Sequence, residues 1–254
     1  IVSLVPSITE TLFALGLEEA LVGRTAFCIH PRDRVKRVRS VGGTKRINTT
    51  KLHAIAPTHV IVNIDETPKP LADSLNEAGY TVIVTHPIEV EDNRALFTLL
   101  GGLFGRVDQA HALCQAFDAA MADLAEVAAT LPERRVLYLI WKDPWMTVSA
   151  ETYVAKMLGQ VHWRVIGGDG AVRYPEIPLN DRLLSEADLV LFSSEPFPFV
   201  DRHIADFRSA HPRHAHKART IDGEMTSWYG VRAIAGLRYL ATLAESTRQM
   251  ASAR

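Results

Sequence analysis

Apolar positions along this chain recur with two different periods, and the alternation between them lays out its elements. Short apolar or β-branched runs predict strands at Ile1–Val5, Leu21–Arg24, Thr58–Val62, Thr81–Thr85, Arg135–Trp141, Leu189–Ser193 and Ala218–Ile221. Between them, steps of three and four predict helices: Ser7 to Gly16, Asn48 or Thr49 to Ala56, Leu71–Gly79, about Val90 to Gly105, and Thr152–Leu158. Two more follow at Asp201–Ser209 and Val231 to about Thr247, and Leu183–Ala187 leads into the strand at Leu189. Ser7 with Glu10 three residues later forms a capping-box pattern, and Gly16 supplies the stop.

One stretch differs from the rest. Ala110, Leu113, Phe117, Met121, Leu124, Val127 and Leu131 put an apolar stripe down one face of a helix from Asp108 to about Leu131, uninterrupted until Pro132. Its length is on the order of 35 Å, enough to act as a strut. Strand-helix alternation flanks it in two halves of similar size. The expected organisation is an N-terminal α/β lobe over 1–106, a linking helix over 107–132 and a C-terminal α/β lobe over 133–254. The halves share rhythm rather than sequence, so the chain is no repeat array.

Composition narrows the function classes. The 254 residues are 47% hydrophobic and 22% charged, with a formal net charge of −1, which suits a soluble chain with two cores and gives no nucleic-acid footprint. Arg32 to Arg39 is locally basic but broken by Asp33 and valines, and reads as a solvated loop. Two cysteines cannot build a disulfide framework, and Cys114 reads as a small buried residue of the long helix. No apolar run approaches a membrane span. Ile1–Leu4 already reads as a core strand. An export signal has been removed ahead of it, which places the chain in the periplasm, or none was present, which leaves it in the cytoplasm.

Ligands of α/β sheets sit beyond the carboxyl ends of the strands. Those ends carry Phe27, Cys28, His30, Asn63, Asp65, Glu66, Trp141, Trp145, Glu195, Glu224 and Trp228, including three of the chain's four tryptophans. Aromatic faces with a few polar anchors suit a large flat or amphiphilic ligand. The turn Val41-Gly42-Gly43-Thr44 permits close backbone approach, and the amide groups that start the first helix lie at a strand end. Cys28 and His30 form a Cys-x-His pair that can bring a thiolate and an imidazole to one metal ion, with Glu66, Glu195 or Glu224 completing the set. The alternative is a buried thiol beside a hydrogen-bonded histidine. His203, His211, His214 and His216 read as a solvated group. Cys28 with His30, or Glu195 with Glu224, are the material for an enzyme. No Gly-x-Ser-x-Gly, phosphate loop or dinucleotide fingerprint accompanies them, so the expectation is a non-catalytic protein.

The opening Ile1-Val2-Ser3-Leu4-Val5-Pro6-Ser7-Ile8-Thr9-Glu10, the turn at Val41–Thr44, the stretch Ala54–Val62 and the long central helix together resemble the Fe/B12-type periplasmic-binding family. These are helical-backbone metal receptors, substrate-binding proteins of ABC importers for cobalamin, iron–siderophores and haem. The resemblance implies two Rossmann-like lobes, central sheets flanked by helices, joined by one backbone helix with the ligand cleft between them. It implies a monomer with no resident cofactor, a corrinoid, haem or ferric chelate as the small-molecule ligand, and an ABC transporter permease as partner.

Laid against the corrinoid-binding members, Phe27 and Tyr174 fall on stacking aromatics, Trp145 or Met146 on a third, and Glu224 on an acidic cleft residue. Trp228 lies where those members carry an arginine, while Asn63 and Gly43 or Thr44 replace tryptophans. The ligand-binding set is therefore Phe27, His30, Thr44, Asn63, Glu66, Trp141, Trp145, Met146, Tyr174, Glu195, Glu224 and Trp228, with Lys45 and Asp65 suiting a more polar chelate. Family members also carry one permease-docking glutamate per lobe. Thr50 and Asn180 stand at those positions, with Glu176 or Asp181 as substitutes. This departure leaves open a binding protein, sensor or carrier that has left the importer role.

Overall fold

The computed structural model describes residues 1–168 and 170–252. Among these, nine strands form two separate parallel sheets, and the chain divides into two compact units. The first comprises Ile1–Pro87, Glu91–Phe117 and Tyr229–Arg232; the second comprises Ile88–Val90, Asp118–Trp228 and Ala233–Arg254.

In the first unit, β1 (Val2–Ser3), β2 (Gly23–Arg24), β3 (Arg39–Ser40), β4 (His59–Asn63) and β5 (Thr81–Thr85) lie in the order β3-β2-β1-β4-β5. Val2, Leu4, Val60 and Val62 are buried against Leu52 of α2 (Thr49–Ile55) and Leu75 of α3 (Lys69–Glu77). Strands covered on both faces read as continuous apolar runs, which is why β4 stands out in the sequence, while β5 lies at the sheet edge with Val84 exposed. Of the two expected caps for α2, Asn48 is the one used, its Oδ1 accepting from the Lys51 amide at 2.9 Å.

α1 (Pro6–Ala14) departs from expectation at its start. Val5 is the N-cap, with no side-chain capping bond, and Ser7 lies buried in the first turn. Pro6, suited to the first helical position, moves the start ahead of Ser7 and removes the capping box. Glu10 instead pairs with Arg232. The Arg32–Arg39 stretch is also more than a solvated loop. It contains a 3-10 turn, Val35–Arg37, and leads into β3, with Val35 and Val38 buried as anchors.

α4 (Asp92–Leu103) precedes the long helix α5, which runs from Val107 to Ala128. Its 22 residues span about 33 Å. Ala110, Phe117, Ala120, Leu124 and Ala128 are its most buried positions. Leu113, Met121 and Val127 are only half-buried, so the contact stripe is narrower than the apolar pattern and lined by alanines. The helix stops at Ala128, and Ala129–Leu131 close it as a turn.

The second unit holds β6 (Arg134–Leu139), β7 (Trp163–Val165), β8 (Leu189–Ser193) and β9 (Ala218–Ile221) in the order β7-β6-β8-β9. Its helices are α6 (Tyr153–Gly159), α7 (Asp181–Glu186), α8 (Asp201–Ala210), the short α9 (Gly223–Ser227) and α10 (Val231–Ser252), whose first two residues count with the first unit. The sheet's core is Leu137, Leu139, Val190 and Phe192 against Leu184, Phe199, Ile204 and Phe207. β7 and α9 were not expected, because three and five residues are too few for a period to register. β7 carries Trp163, the fourth tryptophan, which is core.

His203 and His214 correct the expectation of a solvated histidine group. They are 8% and 7% exposed. His203 packs edge-on against Phe197 and Phe199, and its Nδ1 accepts from the Val200 amide. His214 Nε2 lies 2.8 Å from Asp181 Oδ1. Among the described residues no helix is long and apolar enough to cross a membrane.

Candidate functional site

Strand order reverses between β1 and β4 in one sheet and between β6 and β8 in the other, and such switch points are where parallel sheets open toward ligands. Each unit places part of the predicted residue set there.

In the first unit, Phe27 is 61% exposed on the loop after β2. The turn after β3 lies against it. Gly42, with φ +126°, bridges to Ile47, and a Cβ at Gly43 would sit 3.4 Å from the Phe27 ring. Thr44, half-buried, belongs to this group. Cys28, one residue after Phe27, points inward. Its thiol is 1% exposed and lies 3.1 Å from Thr9 Oγ1 and 3.2 Å from Thr25 Oγ1. Burial pushes the thiol up from its ordinary value, with the charge of Glu66 adding to the effect. That disfavours the thiolate a metal or a nucleophile needs. His30 stands half-buried two residues on. Among the described residues no group of three or more His, Cys, Asp or Glu side chains is arranged to hold a metal ion.

Asn63, at the end of β4, is 2% exposed, and both ends of its carboxamide are engaged. Nδ2 donates to the Thr85 carbonyl at 3.0 Å, and Oδ1 accepts from the Asp65 amide at 2.8 Å. It braces the turn that presents Asp65 and Glu66 rather than reaching outward. Glu66 Oε1 lies 3.5 Å from the hydroxyl of Tyr229. Burial, reinforced by Glu66, holds that phenol well above the usual tyrosine range. Tyr229 escaped the sequence reading, although it adjoins Trp228.

The second unit gathers more. Trp141 and Met146 close a hairpin at the end of β6, and Met146 bridges on to Glu176. The neighbouring segment runs beside it, with the Pro175 and Arg173 carbonyls accepting from the Thr147 and Ser149 amides, which sets Tyr174 next to the hairpin. Trp141 and Tyr174 are 40% and 38% exposed. Trp141 meets Phe197 edge-on at 5.6 Å. Trp145 stacks on Phe199 at 6.1 Å with only 4° between the planes, so one ring face is spent on the core.

At the end of β8, Glu195 and Trp228 are brought together. Trp228 Nε1 donates to Glu195 Oε1 at 2.6 Å, and Ser227 Oγ donates to the same oxygen at 3.3 Å. Gly223 makes this approach possible, since a Cβ there would lie 2.6 Å from Glu195 Cγ and from Ser193 Oγ. Below it, the buried Tyr138 hydroxyl donates to Ser193 Oγ at 3.0 Å and shares a 2.8 Å bond with Thr226 Oγ1. Burial pushes Tyr138 up to about 12. Glu195 is pushed up to about 7, first by burial and then by the charges of Glu224 and Asp222, against the pull of its bonds to Trp228 and Ser227. Ser227 was missed in the sequence because its role depends on a partner 32 residues away.

A family model described as periplasmic binding protein matches residues 1–195. An uncharacterized ABC transporter substrate-binding lipoprotein of Bacillus subtilis is 29% identical over 180 residues, 66% of this chain and 55% of that protein. The chain thus spans little more than half the length of that relative. The vitamin B12-binding protein of Yersinia pestis is 21% identical over 193 residues, covering 76% of this chain and 69% of that one. Among solved structures, the periplasmic vitamin B12-binding protein of Vibrio cholerae superposes with a TM-score of 0.84 at 17% identity, over 97% of this chain and 96% of that one.

Proposed function

We propose, on the premise that this chain belongs to the periplasmic binding protein family, that it is the substrate-binding component of an ABC-type importer. Its ligand class is the metal chelates: corrinoids, haem and ferric siderophores. The family consists of binding proteins, and the proposed role is capture and release of the ligand unchanged. The vitamin B12-binding relative supports this ligand class, and the substrate-binding lipoprotein supports the importer role and an extracytoplasmic location.

The observation that carries the reading is the pairing at Glu195 and Trp228: an indole locked by a carboxyl group at a sheet's switch point. Within the same unit, Trp141 and Tyr174, both exposed beside the end of β6, add stacking surface, and Glu224 adds a polar anchor. Titrating the purified protein with cyanocobalamin, haemin and a ferric siderophore while following tryptophan emission tests it. Saturable quenching by at least one of them, weakened at least tenfold by Trp228→Ala, is the expected result. No response to any of the three overturns it.

A second reading, a binding protein that no longer docks a permease, is favoured by the two positions where docking glutamates are expected. Thr50 is uncharged in the first turn of α2, and the Asn180 side chain caps α7 by accepting from the Leu183 amide at 3.0 Å. Asp181, the nearby substitute, is paired with His214. Recovery of the full-length protein in the cytosolic fraction of its host would decide for this reading over the first.

A further inference from the structure

Glu195 does more than hold an indole. Oε1 takes both of its hydrogen bonds, from Trp228 and Ser227, and Oε2 carries none among the described residues. The groups around it are acidic or neutral. Glu224 and Asp222 face it from α9 and its cap, Tyr138 from β6 beneath, and Tyr239 of α10 engages the Asp222 amide. Among the described residues only the bonds from Trp228 and Ser227, both to Oε1, favour its charged form, and no cation adds to them. A carboxyl group in such a setting keeps its proton to unusually high pH and offers an O–H donor where an ordinary glutamate offers only acceptors.

We propose that Glu195 recognises the ligand in its protonated form, donating from Oε2 to a carboxylate or carboxamide oxygen while Oε1 keeps Trp228 oriented for stacking. The proton comes from bulk water, one O–H···O hydrogen bond forms, and no covalent bond changes. The ligand contact rests on the receptor reading above; the coupling between Glu195 and Trp228 does not.

Two measurements on the whole chain separate them. In the free protein, tryptophan emission followed from pH 5 to pH 9 shows a transition centred near pH 7, where Glu195 ionises beside the indole. Glu195→Gln removes it, and so does Trp228→Phe. A transition that persists in Glu195→Gln, or none in the wild type, overturns the coupling whatever the ligand. The second measurement is the affinity for cyanocobalamin, which carries carboxamides, and for haemin, which carries carboxylates. If only protonated Glu195 binds, wild-type affinity for whichever probe binds falls about tenfold from pH 6 to pH 8. Glu195→Gln, a permanent donor of the same shape, varies less than twofold over that range. A pH-independent wild type, or a variant as steep as the wild type, overturns the donor role. Absence of binding by either probe in wild type and variant alike defeats the ligand contact, while the emission transition still decides the coupling.

Discussion

Arg232 grips Glu10 through two parallel hydrogen bonds, Nε to Oε2 at 2.9 Å and a terminal nitrogen to Oε1 at 2.8 Å, across 222 positions of sequence. Their side chains are only 11% and 19% exposed. Around them the Gly230 amide donates to Asn93 Oδ1 and the Val231 amide to Thr11 Oγ1, so the start of α10 is tied to α1 and α4 within the first unit. Removing one partner strands the other charge largely out of water. Arg232→Ala and Glu10→Ala are each expected to cost about 3 kcal/mol. The double variant should cost clearly less than the sum, as the cycle of urea midpoints would show.

Stability should respond to pH through Glu195. Its folded value, about 7, lies above the ordinary carboxylate value of an unfolded chain. Between roughly pH 4.5 and 7 the folded state therefore holds a proton that the unfolded state has released. Folding is penalised progressively as pH rises through that window, up to about 3 kcal/mol above it. Glu195→Gln keeps an acceptor for the indole and removes the penalty. It should melt higher than the wild type at pH 8 and no higher at pH 4.5, as thermal scans at the two pH values would reveal.

Tyr138 anchors the floor beneath Glu195 by bridging Ser193 and Thr226. Tyr138→Phe keeps the ring in the core and loses the bridge. Both hydroxyls retain other partners, Ser193 Oγ at the Glu195 carbonyl and Thr226 Oγ1 at the Asp222 carbonyl, so the expected cost is about 1 kcal/mol. Phenolate absorbance offers an independent check. The Tyr138 hydroxyl, held at about 12, should titrate in the alkaline part of the curve alongside Tyr229, and the variant should show one late-titrating phenol fewer.

The tryptophans should divide by their surroundings. Trp145 lies flat on Phe199 and edge-on to Phe192, so Trp145→Ala empties space beside the core and should cost about 3 kcal/mol. Trp228 is half-buried, and its indole donates to Glu195. Trp228→Ala, which removes a half-buried ring rather than one stacked into the core, should cost less, about 1 kcal/mol. Denaturant midpoints for the two variants would establish the ranking, and equal midpoints would contradict it.

Much of the architecture was legible because the strands announce themselves as short β-branched or apolar runs, whether buried throughout like Leu189–Ser193 or at the sheet edge like Thr81–Thr85. Thr81–Thr85, Leu189–Ser193 and Ala218–Ile221 appear at the expected residues. The long helix was legible for the opposite reason, an unbroken 3.6-residue pattern with no glycine or proline. What failed was decided at a distance or by a competing local rule. Pro6 overrode the Ser7 capping pattern, and the burial of His203 and His214 depends on Phe197, Phe199 and Asp181, which no local period encodes. The candidate site followed the same division. Which residues stand at strand ends could be read from the chain. That Asn63 turns inward, that Trp145 spends a face on Phe199 and that Glu195 and Trp228 meet across 33 positions could not.

The tightness at position 223 has an evolutionary corollary. With Glu195 and Ser193 pressed against its α-carbon, that position admits only hydrogen as a side chain. Replacing the glycine would push the carboxyl group and its supporting hydroxyl apart together. Descendants that keep the Glu195–Trp228 pairing should keep the glycine as its hidden signature, and its loss from a homologue would mark that pairing as rebuilt.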